Sequence, residues 1–536
     1  MPRRVHVRSY LLVFFLAGLI VVPLAPLGLN IYDEGVRLYG ADRVLRGETP
    51  YHDFFAYYGP GGFYFWALLF KMFGVQIIVA RLAAVFLIAL AAVSVFALAR
   101  SAALSWPWAV IPVVALILPF RSGSDFVICD PALALVLAAG AVLSIGRGRL
   151  PTYLGAGALV GLAATFRHDF ALYGAIAAAV TTLWHHWHGL PHSGDATSPE
   201  RELLADVWRP AALVAGMAVV IIPVYGLLAL RGPQVLIEML LTNPRRLMVF
   251  RRLPYGYYEL RDFSSAMAGG YGFAKAFAEG PTLIVLLAPP LALGLCLSLL
   301  AWRTRRRILQ RDGAIAPLLF VTICALGLAV YALGRGDWYH VYPLYVLSAL
   351  AGTIVAAPRE PNVRRASTNV AIASIIAAIV WIAALAVIEF WLTVPLHVPR
   401  ADAIRVRRDQ AWLADAVRDV SRYAGFGPIF VAAERHDRVH ANAPVIYFLA
   451  DRRSGTYFHD YIPGLTTSRE VQQRIVSDLI TNKVRTVIIA KTPLPNEPNP
   501  SRISSGISLL DDYLRSAFSP IRDTDRYRLL DGGPKL

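Results

Sequence analysis

The sequence predicts a polytopic all-α membrane protein with an external C-terminal α/β domain, and three observations predict it. Of 536 residues, 56% are hydrophobic and only 16% are charged. The apolar residues come in long blocks, without sustained alternation, as far as about residue 394. Beyond about 395 polar residues, Arg and Asp become frequent. A large soluble enzyme does not have this composition.

The first apolar block, about 10–27, follows MPRRVHVR. No small-residue cleavage site follows it, so it reads as a retained first transmembrane helix rather than a signal peptide. Further candidate spans lie near 60–74, 76–99, 106–121, 131–146, 152–166, 169–184, 209–230, 281–301, 314–333, 339–357 and 370–394, giving about 11–13 transmembrane or re-entrant helices. About twenty residues cross a bilayer, so the shorter spans tilt, re-enter or stop short. Residues 1–394 are thus the membrane domain and 395–536 the external domain.

A net charge of +16 does not call for nucleic acid. The basic runs RTRRR at 303–307 and REPNVRR at 359–365 sit in short loops between apolar blocks, where cytoplasmic positive charge is expected. With the N-terminus and GRGR at 146–149 on that same side, the loops 28–59, 231–280 and 334–338 and everything after 395 are external. One conflict follows. If all three segments between 60 and 121 crossed, Asp130 would be cytoplasmic, whereas GRGR sets it outside, so one of the three is expected not to span. Cys129, Cys296 and Cys324 fall in or beside membrane segments and suggest neither a disulfide framework nor a zinc cluster.

In the external domain, PIFVAA at 428–433 and VRTVIIA at 484–490 read as buried strands, and SREVQQRIVSDLI between them as an amphipathic helix. The Pro-, Asn- and Ser-rich tail after 492 reads as surface loop.

The ionisable residues beside the spans carry the chemistry, because charge near a membrane is costly unless used or paired. Asp33 and Glu34 lie just beyond the first helix, and the EGVRLYGADRVLRG that follows has the spacing of a helix lying in the interface. Asp130 caps DPALALVLAAG, with Pro131 at its first turn. Arg167, His168 and Asp169 interrupt a hydrophobic stretch, either as functional groups or as an internal salt bridge between two short helices. NPRRLMVFRRLPYGYY holds the pairs Arg245-Arg246 and Arg251-Arg252 in an external loop, where the positive-inside explanation fails and an anion is wanted. GRGDWYHVYP sets Arg335, Asp337, Trp338 and His340 at an external helix end.

In this order the residues resemble the GT-C membrane glycosyltransferases, in the bacterial branch near the protein O-mannosyltransferases and the aminoarabinose transferases of lipid A. The likeness rests on a loop opening with Asp-Glu, the YxxxxxYxGPxxxY return from Tyr51 to Tyr64, Phe73-Gly74 with Ala80-Arg81, and Asp130-Pro131. It implies Asp33 as the base or acceptor-binding residue and Asp130 as a second acidic position near the acceptor or a metal. It implies Arg335 and His340 as groups for the donor phosphate, with Arg251 and Arg252 beside them. Glu34, Arg167, His168 and Asp169 are candidate acceptor-binding or site-shaping residues. No WWxD signature occurs, which disfavours transfer of a preassembled oligosaccharide.

The expected reaction is inverting transfer of a single sugar from a polyprenyl-phosphate donor to a hydroxyl of an extracytoplasmic glycan, glycolipid or protein. The expected setting is a bacterial inner membrane with the active site on its outer face. The alternative is a transporter or flippase of polyprenyl-linked sugars, which intramembrane charges also suit. A divalent ion, Mg²⁺ or Mn²⁺, held by Asp33 and Asp130 is the one cofactor that this chemistry admits.

Overall fold

The computed structural model describes residues 7–128, 130–146, 149–188, 199–261, 282–292, 314–357, 364–461, 464–494 and 496–533. The basic runs at 303–307 and 359–363, together with Cys129 and Cys296, lie outside them.

The chain is a multi-pass membrane protein. Six of the described helical segments are long and apolar enough to cross a bilayer: Val7–Leu24, Ile77–Ser101, Trp208–Ala229, Ile315–Gly334, Trp338–Ala356 and Thr368–Leu392. The membrane domain runs through α1 (Val7–Val21), α2 (Asp33–Leu45), α3 (Pro60–Phe73), α4 (Ile77–Ser101), α5 (Trp106–Ile117), α6 (Pro131–Ile145), α7 (Leu150–Phe166), α8 (His168–His188) and α9 (Pro199–Ala229). It continues through α10 (Pro233–Ile237), α11 (Asn243–Arg251), α12 (Thr282–Ala292), α13 (Ile315–Gly334), α14 (Trp338–Ala356) and α15 (Arg364–Leu392). Leu19, Val219, Ile222, Leu291, Val330 and Trp391 are exposed apolar side chains along these helices, as a lipid environment requires.

Helix α3, fourteen residues long, is not among the helices long and apolar enough to cross. Its entry is tied to the end of α7, where the Gly59 amide donates to the Phe166 carbonyl at 3.1 Å. Its exit meets the C-terminal domain, with Phe70 and Phe448 rings 5.7 Å apart and the Ile77 amide donating to the Arg400 carbonyl at 3.0 Å. Both ends therefore lie on the face that carries the C-terminal domain. If α3 stays on that face, α4 and α5 together return the chain to it and the conflict over Asp130 is removed.

Helix α2 is not laid against lipid as its sequence pattern predicts. Nine of its thirteen residues are buried, between α3 and α17 (Val445–Leu449) of the C-terminal domain. Two glycines permit this approach. A Cβ on Gly35 would stand 2.5 Å from the Val445 amide nitrogen, and one on Gly40 would stand 2.4 Å from the Phe63 ring. Charged residues then rivet the layers. Arg43 pairs with Glu48 at 2.6 Å and donates to the Asp53 carbonyl, and Arg46 and Arg400 share Asp42 and Asp451. Gly35→Ala is expected to cost about 1–3 kcal/mol through overpacking and to expose the C-terminal domain to protease. Gly155→Ala, whose Cβ meets nothing within 4 Å, is the control. Equal melting temperatures for both variants would contradict the close approach.

The C-terminal domain opens with the small hairpin β1 (Thr393–Pro395) and β2 (Arg405–Arg407), then α16 (Trp412–Tyr423) and β3 (Ile429–Ala433). After α17 come α18 (Arg469–Thr481), β4 (Thr486–Ala490), α19 (Leu509–Ala517), β5 (Phe518–Asp523) and β6 (Tyr527–Gly532). The expected strands pair in parallel, Val431 opposite Ile488, and all five residues of β3 are buried. The tail differs from its expectation: β6 inserts between β4 and β5, giving the order β3-β4-β6-β5. Buried Tyr527 and Leu529 supply the apolar face that the surrounding charges mask in sequence.

Candidate active site

The start of α2, the loop 46–59, the end of α11, α13, α14 and the C-terminal domain converge on this face, and this junction is the candidate cleft. Its position follows from the α2 cap. Asn30 Oδ1 accepts from the amides of Tyr32 (3.2 Å) and Asp33 (2.8 Å), while Asn30 Nδ2 donates to Asp33 Oδ2 (3.1 Å). A single asparagine thus satisfies the helix end and orients the carboxylate.

Three of the four carboxylates singled out by sequence have their own arginine. Arg81, 2% exposed, grips Glu34 at 2.8 and 2.9 Å and also donates to the carbonyls of Ala25, Leu27 and Gly28. Asp130 caps α6 through the Ala132 amide (2.9 Å) and faces Arg37 at 3.6 Å, whose guanidinium lies 5.3 Å over the Tyr58 ring. Asp169 pairs with Arg167 across the α7–α8 junction, and Arg167 also donates to the Tyr331 hydroxyl at 3.1 Å. This is the salt-bridge arrangement of that triplet, with half-buried His168 beside it. Asp33 is different: among the described residues no cation pairs with it.

The arginines divide in the same way. Arg335 is engaged by Asp337 (2.7 Å), Glu497 (2.7 and 3.0 Å) and the Arg251 carbonyl (3.1 Å). Its charge is already answered within the protein. His340 Nδ1 lies 2.5 Å from Asp337 Oδ1, and its ring is 5.2 Å from that of Tyr331. Arg252 is exposed, and its carbonyl accepts from Asn499 at 2.9 Å. Neither Arg251 nor Arg252 has an ion-pair partner among the described residues, and Arg251 is the less exposed of the two. Burial works against its charge, but Tyr57, Tyr58, Tyr331 and Asp33 more than offset it, so its basicity is raised.

The four candidate carboxylates do not gather as a metal site would require. Glu34, Asp130 and Asp169 each answer a different arginine, and no group of three or more His, Cys, Asp or Glu suited to a metal occurs among the described residues.

Several residues of the cleft carry no sequence signal as chemistry. Asn30 looks like a loop residue, and Arg81 reads only as part of an Ala-Arg pair. Asp460 arrives from the C-terminal domain, 1% exposed, with Oδ1 2.5 Å from the Tyr32 hydroxyl. Burial pushes its carboxyl up to about 7. Nothing in the spacing of FHDY reveals a contact across more than four hundred residues of chain.

A helical membrane domain capped by an α/β domain is a fold that solved structures already hold. In particular, the chain matches two crystal structures of ArnT from Cupriavidus metallidurans. For ArnT bound to undecaprenyl phosphate the TM-score is 0.55 at 15% identity, covering 99% of this chain and 98% of that one. For apo ArnT it is 0.53 at 14% identity, covering 99% and 100%. No protein-family model matches the sequence, and no curated protein matches it.

Proposed function

We propose that the protein is a glycosyltransferase that moves one sugar from a polyprenyl-phosphate donor to an acceptor hydroxyl at the extracytoplasmic membrane face. The observation that carries this reading is the pair of unanswered charges. Asp33 and Arg251 lie within electrostatic reach of each other and have no ion-pair partner among the described residues, while Glu34, Asp130, Asp169 and Arg335 are matched. A half-buried arginine among tyrosines without a carboxylate partner suits a phosphate. Undecaprenyl phosphate in the ArnT structure supports a lipid of that class.

In this mechanism Asp33 takes the proton of the acceptor hydroxyl as its oxygen attacks the anomeric carbon. The bond from that carbon to the phosphate oxygen breaks on the opposite side, so configuration inverts. The polyprenyl phosphate leaves as an anion and needs no proton, and Arg251 stabilises the charge that grows on it. Asp130 and Arg37 shape the acceptor side next to Tyr58, where a small pocket is also lined by Trp66 and Phe166. No step is routed through a metal.

The test is consumption of a panel of polyprenyl-phosphate sugars by the purified protein with a cell-envelope acceptor. One donor is expected to be consumed with label appearing in glycan. Arg251→Gln is expected to raise the donor KM by roughly tenfold or more, the weight of a charge-assisted hydrogen bond. Binding of the donor without consumption in any acceptor mixture would favour a flippase instead. An unchanged KM would remove Arg251 from the phosphate.

A further inference from the structure

The C-terminal domain contributes one buried acid to the cleft that the mechanism above leaves without a role. The Tyr32 hydroxyl lies 2.5 Å from Asp460 Oδ1 and 2.9 Å from the Tyr461 backbone carbonyl oxygen. A phenol has one proton, and a carbonyl oxygen only accepts. If that proton goes to Tyr461, the short contact with Asp460 holds no hydrogen unless the acid supplies it. Each hydrogen bond has a proton of its own, rather than sharing the one on Tyr32, when Asp460 is a neutral carboxylic acid donating to Tyr32.

Other observations agree. Asp460 Oδ2 is buried and has no hydrogen-bond partner among the described residues, a severe cost for a carboxylate and a modest one for the carbonyl oxygen of an acid. Burial and Asp33 raise its pKa to about 7, against the Tyr32 hydrogen bond and the charge of Arg251. The segment is fixed from behind. Asn442 Nδ2 donates to the His459 carbonyl at 3.0 Å and the Val431 carbonyl at 2.9 Å. The His459 ring is packed on Tyr39 and Phe54 at 5.1 and 5.6 Å.

Resting on the transferase reading, we propose that Asp460 is a positioning residue for Asp33. As a neutral acid it donates to Tyr32, fastening the residue before Asp33 to the C-terminal domain and keeping a second negative charge away from the base. The C-terminal domain is then part of the catalytic unit.

The experiment compares Asp460→Ala, Asp460→Asn and Tyr32→Phe. Asparagine keeps a donor where the acid has its O–H. Asp460→Ala and Tyr32→Phe are expected to lose roughly tenfold in kcat with donor KM unchanged, and Asp460→Asn to rescue most of that loss. The wild-type rate falls as pH rises through about 7, when Asp460 ionises among Tyr32, Asp33, Tyr57 and Arg251; in Asp460→Asn this fall is absent. An Asp460→Asn variant as impaired as Asp460→Ala would overturn the proposal. A second readout needs no turnover: the infrared stretch of a protonated carboxyl, present one pH unit below that midpoint and missing in Asp460→Asn. If the band is present but no variant transfers sugar, the transferase reading fails and the neutral acid stands. If transfer is normal and the band is absent, the assignment of Asp460 fails alone.

Discussion

Asp33→Asn is expected to lower kcat for sugar transfer by about 10²- to 10⁴-fold, the usual contribution of a positioned general base, with the donor KM little changed. The substitution is nearly isosteric. Its amide oxygen still accepts from Asn30 Nδ2, and the bonds from Asn30 Oδ1 to the α2 amides do not involve the side chain at 33. No ion pair is broken, so the fold and melting temperature are expected to hold. A loss confined to kcat is the signature of an interaction realised in the transition state alone. Asp130→Asn is the comparison. It keeps an oxygen to accept from the Ala132 amide but loses the charge facing Arg37, so it is expected to reduce turnover less and to affect acceptor KM. Single-turnover rates with labelled donor decide the matter. Asp33→Asn at wild-type rate would remove Asp33 as the base, and a larger loss at Asp130 would move the base to α6.

The contrast between these aspartates shows what the sequence carries and what it does not. The spans, the acidic turn after α1 and the parallel pair β3–β4 are written in local apolar periodicity, which needs only neighbours along the chain. The expectation that one segment between 60 and 121 does not span rests on a clash between charge on GRGR and the count of crossings. What periodicity does not encode is which charges meet. Glu34 and Asp33 are adjacent, yet Glu34 turns to Arg81 on α4 and Asp33 to the cleft. Arg251 and Arg335 both belong to basic external stretches, yet Arg335 is answered by Asp337 and by Glu497 arriving from the C-terminal domain, and Arg251 by neither. The burial of α2 was illegible for a related reason: Gly35 and Gly40 read as weak helix formers until Val445 and Phe63 are seen to need their space.

Arg81→Ala is expected to destabilise the protein by about 3–5 kcal/mol, the cost of leaving a buried charge without its partner. Glu34 would keep only the Asn30 amide at 3.3 Å, and the carbonyls of Ala25, Leu27 and Gly28 would lose the cation that closes the chain around the exit of α1. Glu34→Gln is gentler. The amide oxygen still accepts from Arg81, and the three carbonyls continue to hold the guanidinium, so a loss of about 1.5–3 kcal/mol is expected, that of a hydrogen bond to a charged group. The order of these effects tests the division of labour at the acidic turn. If Glu34 positions the turn and Asp33 does the chemistry, turnover across the Arg81 and Glu34 variants follows the folded fraction measured by thermal unfolding in detergent. Asp33→Asn instead loses turnover at full stability. A Glu34→Gln protein that melts like wild type but transfers no sugar would reverse the assignment, making the arginine-bound glutamate the reacting carboxylate and Asp33 its support.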